Sequence, residues 1–191
     1  EYYGRKVRDS KPGGYGKISL ARGFELSSNT VLVQSVYDSY KNNPKQFVDR
    51  INSYGLNKPL GLPIKGEGKP VIPQPGTNRW SGVALPWMAF GYGLSVTPLQ
   101  TLTLYNAVAN DGVMVKPIFV SEIKEWNKTI KKYNTEVINP KICSQETLDK
   151  VQAVLENVVK RGTGSKLYSK DFSMAGKTGT AQVNYKDKSK L

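Results

Sequence analysis

Apolar residues recur along this chain at helical spacing in five places. Leu20 and Phe24 share one face of a stretch that begins within "ISLARGFELSSN". After a break at residues 27–29, Leu32, Val36, Tyr37 and Tyr40 restore the period over 30–40. A third helix starts at Asn43-Pro44, because proline suits the first helical position, where no N–H bond is lost. It carries Phe47, Val48, Ile51 and Tyr54 on its inner stripe and stops at Gly55. Thr97-Pro98 caps a fourth, with Leu99, Leu102 and Val108 inward and its end at Asp111-Gly112. Ser144 opens the longest, with Leu148, Val151, Leu155 and Val158 at core spacing and Gly162 as terminator. Strands are fewer. Residues 113–120 read as one, and "EIKEWNKTIKKY" as a hairpin turning at Asn127-Lys128. The pattern predicts an α+β, helix-dominated fold.

Between the third and fourth helices, residues 56–96 are rich in proline and glycine, a long ordered excursion of the kind that usually serves function. Residues 1–17, with "KPGGYGK", read as a polar loop or hairpin. The most apolar stretch, "VALPWMAFGYGLSVTPL", is interrupted by Pro86, Gly91, Gly93 and Pro98, so it packs rather than crosses a bilayer. At 191 residues the chain is long enough to bury a proper core.

Charge narrows the surroundings. Twenty-eight basic against 15 acidic residues leave +13, a preference for anionic lipid, cell-wall polymer or nucleic acid. The lysines are scattered and no nucleic-acid motif accompanies them, so nucleic acid ranks last. The chain has no histidine, which excludes a Ser-His-Asp or Cys-His machine within these residues and most zinc chemistry. Cys143, the one cysteine, sits beside a helix start and reads as a half-buried small residue. No cofactor is expected.

Two short motifs carry candidate chemistry. "SMAGKTGTAQVNY" (173–185) contains Gly176-Lys177-Thr178, but a phosphate loop needs a glycine at 171, where Asp171 stands. Residues 180–185 alternate like a strand edge, unlike the helix such a loop must feed. The alternative anion is a carboxylate. A strand bearing Lys177, Thr178 and Thr180 can hold one through charge-assisted hydrogen bonds, and Gly179 lets a peptide approach closely. The second motif is Ser27-Ser28-Asn29, in the break between two helical patterns, where serine and asparagine are ordinarily caps.

In this order the motifs, S-x-N then K-T-G, resemble two of the three signatures of penicillin-binding proteins. The resemblance to a class B transpeptidase domain runs over nearly the whole chain. It includes "GGYGKISLARGFELSSNTVL", "GYGLSVTPLQTLTLYNAVANDGVMVKP" and "RGTGSKLYSKDFSMAGKTGTAQ". "RDSKPGGYG" and "LYNAVANDG" are most similar to division-specific (septal) members of the Bacteroides group. The resemblance implies a penicillin-binding-protein/β-lactamase-like fold, with residues 1–191 its central and C-terminal part and the third-motif strand at the end. It implies D,D-transpeptidation, in which a serine is acylated by the D-Ala-D-Ala end of a stem peptide and another stem's amine resolves the acyl-enzyme. Ser27 would relay a proton, Asn29 would hold the substrate amide, and Lys177 would supply positive potential. Thr178 and Thr180 would bind the terminal carboxylate, beside Gly179, and the Thr180 N–H would form half of an oxyanion hole.

The first signature, S-x-x-K, belongs before Ser27 and is not found there, so the nucleophile and flanking strands are expected outside a chain that is itself a piece. The one S-x-x-K present, Ser121 to Lys124, lies between the other motifs on a strand that sends the two side chains to opposite faces. It is rejected. The implied partners are peptidoglycan stem peptides, β-lactams, a membrane glycosyltransferase and division proteins. The implied location is the periplasmic face of the inner membrane, held by an N-terminal helix outside these residues. The competing reading is a non-catalytic basic module binding cell wall or division proteins, which requires Ser27 and Lys177 to lie far apart.

Overall fold

The computed structural model of the chain describes residues 1–180. Among these, six helices carry the fold: α1 (Leu20–Glu25), α2 (Asn29–Tyr40), α3 (Pro44–Ser53), α4 (Ala84–Met88), α5 (Pro98–Ala109) and α6 (Gln145–Arg161). Four short strands form two separate antiparallel pairs, β1 (Met114–Val115) with β4 (Val137–Asn139) and β2 (Glu122–Glu125) with β3 (Lys128–Lys132). The architecture is α+β and helix-dominated.

Local chemistry sets the helix starts. Ser19, Ser28, Thr97 and Ser144 each accept a bond from a backbone N–H three residues on. At α5 the Gln100 side chain reaches back to the Thr97 N–H at 2.8 Å, completing a reciprocal cap. α3 uses Pro44 at its first turn instead. The long segment 56–96 is ordered because it supplies core. Ile72 and Met88 from it bury against Val48 of α3, with Trp80, Leu94 and Val96 around them. Its flanks are tied where Val71 and Ser95 exchange both backbone bonds and where the Gln100 amide donates to Lys58 O at 2.8 Å. α6 buries Leu148, Leu155, Val158 and Val159 and packs against α1 and α5. Each such side chain stabilises by about 1.5–3 kcal/mol.

Several expectations are corrected. On α5 the buried residues are Gln100, Thr103 and Ala107, while Leu102 is 61% exposed. The phase follows the cap, since Gln100 must face inward to serve Thr97 and Lys58. On α2 the buried residue is Val33, and the stripe from Leu32 to Tyr40 is half-buried. Leu20 points outward. The strand expected over 113–120 is only Met114–Val115, for Pro117 has no N–H to add to the ladder. The hairpin turns at Trp126-Asn127, one residue early, because Glu125 pairs with Lys128. Residues 173–180 run without strand pairing among the described residues, and the remainder of the expected third-motif strand (181–185) lies outside them.

Candidate active site

Ser27 occupies the junction between α1, which ends at Glu25, and α2, which begins at Asn29. Its φ of 54° is left-handed, a conformation that costs a non-glycine residue about 1–2 kcal/mol. The turn is held from both sides. Ser28 N donates to Gly23 O at 2.8 Å, and Gly23 is itself pressed against α2, since a Cβ there would lie 2.5 Å from Val31 Cγ1. On the other side, Thr163 N donates to Glu25 O at 3.1 Å, just past the C-terminus of α6. That approach requires Gly162, where a Cβ would stand 2.3 Å from Glu25 O.

An ion cluster around the buried Glu25 fixes the same junction. The Glu25 side chain has no solvent exposure and accepts from Arg22 Nη1 and Arg161 Nη2, each at 2.8 Å. Arg22 Nη1 also donates to Arg161 O at 3.0 Å. Burial alone raises the pKa of this carboxyl, but the hydrogen bonds and charges of Arg161 and Arg22 together outweigh it and leave it below the ordinary 4.5.

Against this junction comes the K-T-G segment, anchored by Gly176 N to Leu155 O at 3.1 Å. The Lys177 ammonium donates to Ser27 Oγ, 150 residues away in sequence, and to Thr178 O at 3.0 Å. It also lies 5.6 Å from the centre of the Phe24 ring. Thr163 Oγ1 and Thr178 Oγ1 are 2.6 Å apart and stand 3.5 Å and 3.4 Å from Ser27 Oγ. Lys177 is half-buried, and burial lowers its pKa from 10.5. Among the described residues no carboxylate pairs with it. A partly desolvated cation bonded to a hydroxyl that two further hydroxyls flank can receive a carboxylate through charge-assisted bonds. Because Lys177 donates to Ser27 Oγ, that oxygen is polarised and its own proton is directed elsewhere, the arrangement needed to protonate a leaving nitrogen.

The structure thus brings Ser27, Lys177 and Thr178 together, whereas the binding-module reading needs Ser27 and Lys177 apart. Asn29, on the first turn of α2, is tied differently: its Nδ2 donates to Arg8 O at 3.0 Å. Gly179 and Thr180 follow as exposed chain, and nothing stands within 4 Å of where a Gly179 Cβ would be. Of the rejected pair, Ser121 precedes the exposed strand β2, and the Lys124 ammonium pairs with Glu122 at 2.7 Å. A cavity of about 790 Å³ lined by Asn52, Ile72, Gln74 and Arg79, among others, includes none of the motif residues. That cavity is separate from the donor cluster around Ser27 and Lys177. Sequence reasoning passed over Thr163, Glu25 and Asp9. The Gly-Thr-Gly at 162–164 was the one visible signal, because glycines flanking a hydroxyl mark close backbone approach.

The family model of the penicillin binding protein transpeptidase domain matches residues 2–191, and the chain belongs to that family. Stage V sporulation protein D of Bacillus subtilis is 29% identical over 187 residues, 95% of this chain and 28% of that protein. The D,D-transpeptidase domain of a peptidoglycan glycosyltransferase from Eggerthella lenta superposes with a TM-score of 0.75 at 26% identity, over 90% of this chain and 43% of that one. Penicillin binding protein 3 of Mycobacterium tuberculosis, complexed with ampicillin, gives 0.71 at 30% identity, over 85% of this chain and 36% of that one. The chain spans under a third of the length of the curated relatives it matches.

Proposed function

We propose that this chain is the part of a peptidoglycan D,D-transpeptidase that binds the terminal carboxylate of a stem peptide and relays the proton of acyl transfer. The observation that carries the reading is the hydrogen bond from Lys177 to Ser27 beside the Thr178 hydroxyl. In the step envisaged, a serine from another segment of the polypeptide attacks the D-Ala-D-Ala carbonyl. The carbonyl carbon gains that bond and loses its bond to the departing D-Ala nitrogen; the proton released by the attacking hydroxyl passes to Ser27 Oγ as Ser27 gives its own proton to that nitrogen. Lys177, Thr178 and Thr180 hold the carboxylate, Asn29 holds the donor's amide, and the Thr180 N–H stabilises the oxyanion, a donor of a type worth about 2.7–4 kcal/mol. β-Lactams present the same carboxylate and a strained amide to the same groups, and the ampicillin complex of a relative supports their inclusion.

The finer reading is a division-specific enzyme at the periplasmic face of the inner membrane, held by an N-terminal helix and working with a membrane glycosyltransferase and other division proteins. It rests on the phrasing of "RDSKPGGYG" and "LYNAVANDG". Depletion in cells should block septation and leave growth in length; loss of cell shape with normal septation would assign the enzyme to elongation instead.

The activity is tested in the full-length protein with a fluorescent penicillin. Lys177→Ala removes a charge-assisted bond of about 1.5–3 kcal/mol, so acylation should slow by roughly tenfold to a hundredfold. Equal rates would remove Lys177 from the mechanism. Residues 1–191 alone should form no stable adduct, since Ser27 is a relay here and Ser121 lies on an exposed hairpin; an adduct on either serine would overturn that assignment.

A further inference from the structure

The S-x-N turn is gripped by a residue that lies before it in the chain and belongs to neither motif. Asp9 directs both carboxylate oxygens at the start of α2. Ser28 Oγ donates to Oδ1 and Oδ2 at 3.1 and 3.2 Å, Thr30 N donates to Oδ1 at 3.0 Å, and Thr30 Oγ1 donates to Oδ2 at 2.8 Å. Thr30 N is one of the backbone donors that a helix start leaves without an internal partner. A carboxylate there also meets the positive end of the α2 dipole. The preceding residue takes the other half of the turn, since Arg8 O accepts from Asn29 Nδ2. Residues 8 and 9 therefore contact all three residues from Ser28 to Thr30, and Ser28 is fully buried while it does so.

We propose that Asp9 is a positioning residue for acyl transfer: its carboxylate, bonded to Ser28 and Thr30, holds Ser27 in its left-handed backbone conformation. This rests on the transpeptidase reading above. Ser27 at φ 54° would relax toward the common helical or extended regions if its C-terminal neighbour were free to rotate. Ser28 is not free, because its hydroxyl both accepts from Val31 N and donates to Asp9. The hydroxyl that Lys177 polarises is thereby kept toward the cleft. Ser28 turns inward, fully buried, to meet Asp9.

The test is Asp9→Asn, which keeps the shape and one acceptor but replaces the other with a donor, together with Asp9→Ala. In the full-length protein, the acylation rate constant for penicillin should fall at least tenfold in both variants. The non-covalent affinity that precedes acylation should stay within about twofold, because Lys177, Thr178 and Thr180 are untouched. The fraction of protein that becomes acylated at long times should also be unchanged. A rate constant within twofold of wild type, or a loss confined to the acylated fraction, would overturn the proposal, the second outcome marking Asp9 as a folding residue only. In the full-length protein, Asp9→Asn should also speed amide-proton exchange at Thr30 and Val31; unaltered exchange overturns the grip itself. If wild-type full-length protein is not acylated while Asp9→Asn still speeds that exchange, the transpeptidase reading fails and the grip survives, so the two failures are told apart.

Discussion

Glu25→Gln asks how much the α1–α6 junction contributes to the fold, and the geometry sets the magnitude. Glutamine keeps one oxygen for one arginine and turns an amide N–H₂ toward the other, so one charge-assisted bond at 2.8 Å is replaced by donor against donor. A bond of that type contributes about 1.5–3 kcal/mol, and breaking a fully buried pair costs about 3–5. The arginine side chains are 37% and 61% exposed, so they rehydrate once released, and the lower range applies. We expect a loss of about 2 kcal/mol at neutral pH. For a domain of this length that is a fall of about 4–8 °C in Tm. The pH dependence gives a second handle. Burial opposes the Glu25 charge, but Arg161 and Arg22 prevail and its folded pKa lies below the unfolded 4.5. Its contribution is therefore complete above about pH 4.5 and is lost as pH falls through the depressed folded value. Urea unfolding of residues 1–191, wild type against Glu25→Gln, should show the gap at pH 7 and a narrowing gap in acid. A loss under about 0.5 kcal/mol at pH 7, or a gap that stays constant into acid, would refute the clamp.

Gly162→Ala should destabilise the chain by about 1–3 kcal/mol, since a Cβ 2.3 Å from a backbone oxygen forces the two helices apart; an unchanged Tm would show that the junction can give. Trp126 holds a φ of 52° at the hairpin tip with 95% exposure, so Trp126→Gly relieves about 1–2 kcal/mol of backbone strain. It returns about 0.5–1 in chain entropy, and the net change in Tm should be zero or upward; a clear fall would reveal a packing role for the indole. Lys177 loses its proton below 10.5 because burial disfavours the charge. In the full-length protein, penicillin acylation at limiting concentration, which reports the free enzyme, should have an alkaline limb below that value. A limb at or above 10.5 would contradict the role given to the cation. In residues 1–191, stability relative to Lys177→Met should rise with pH between the lowered pKa and 10.5, the folded state holding fewer protons there; a fall would refute the desolvation.

What could be seen in the sequence was what local chemistry decides. Ser144, Thr97 and Asn43-Pro44 marked helix starts because a cap or a proline acts within three residues of itself. The misjudged faces had distant causes. Leu102 points to solvent because Gln100 answers Lys58, 42 residues earlier, and amphipathic periodicity carries no record of that partner. Among the site residues, Ser27 and Lys177 were legible as members of a pattern, but their contact was a matter of fold. Glu25 and Asp9 were not legible at all, and Thr163 only through its flanking glycines. A lone carboxylate in a basic chain reads as a solvated charge, and only the folded structure shows that Glu25 meets an arginine 136 residues away.

These unseen residues share a physical logic. The hydroxyl of Ser27 and the ammonium of Lys177 attract each other only weakly through water, and neither segment is held by its own secondary structure: one is a three-residue break between helices, the other a run without strand pairing among the described residues. The approach must therefore be imposed from outside the motifs. α6 does so for the K-T-G segment through Leu155 O and for Ser27 through the Gly162–Thr163 contact with Glu25 O. One helix thus carries both halves of the site, so a change in its angle moves Thr163, Glu25 and Gly176 together rather than pulling them apart. The Arg22–Glu25–Arg161 cluster adds fixed donor directions to that coupling, whereas an apolar contact of the same volume is non-directional. The comparison is accessible experimentally. A variant with all three residues made apolar should fold with near-native Tm yet lose acylation in the full-length protein, and retention of both would leave the cluster without a positioning role.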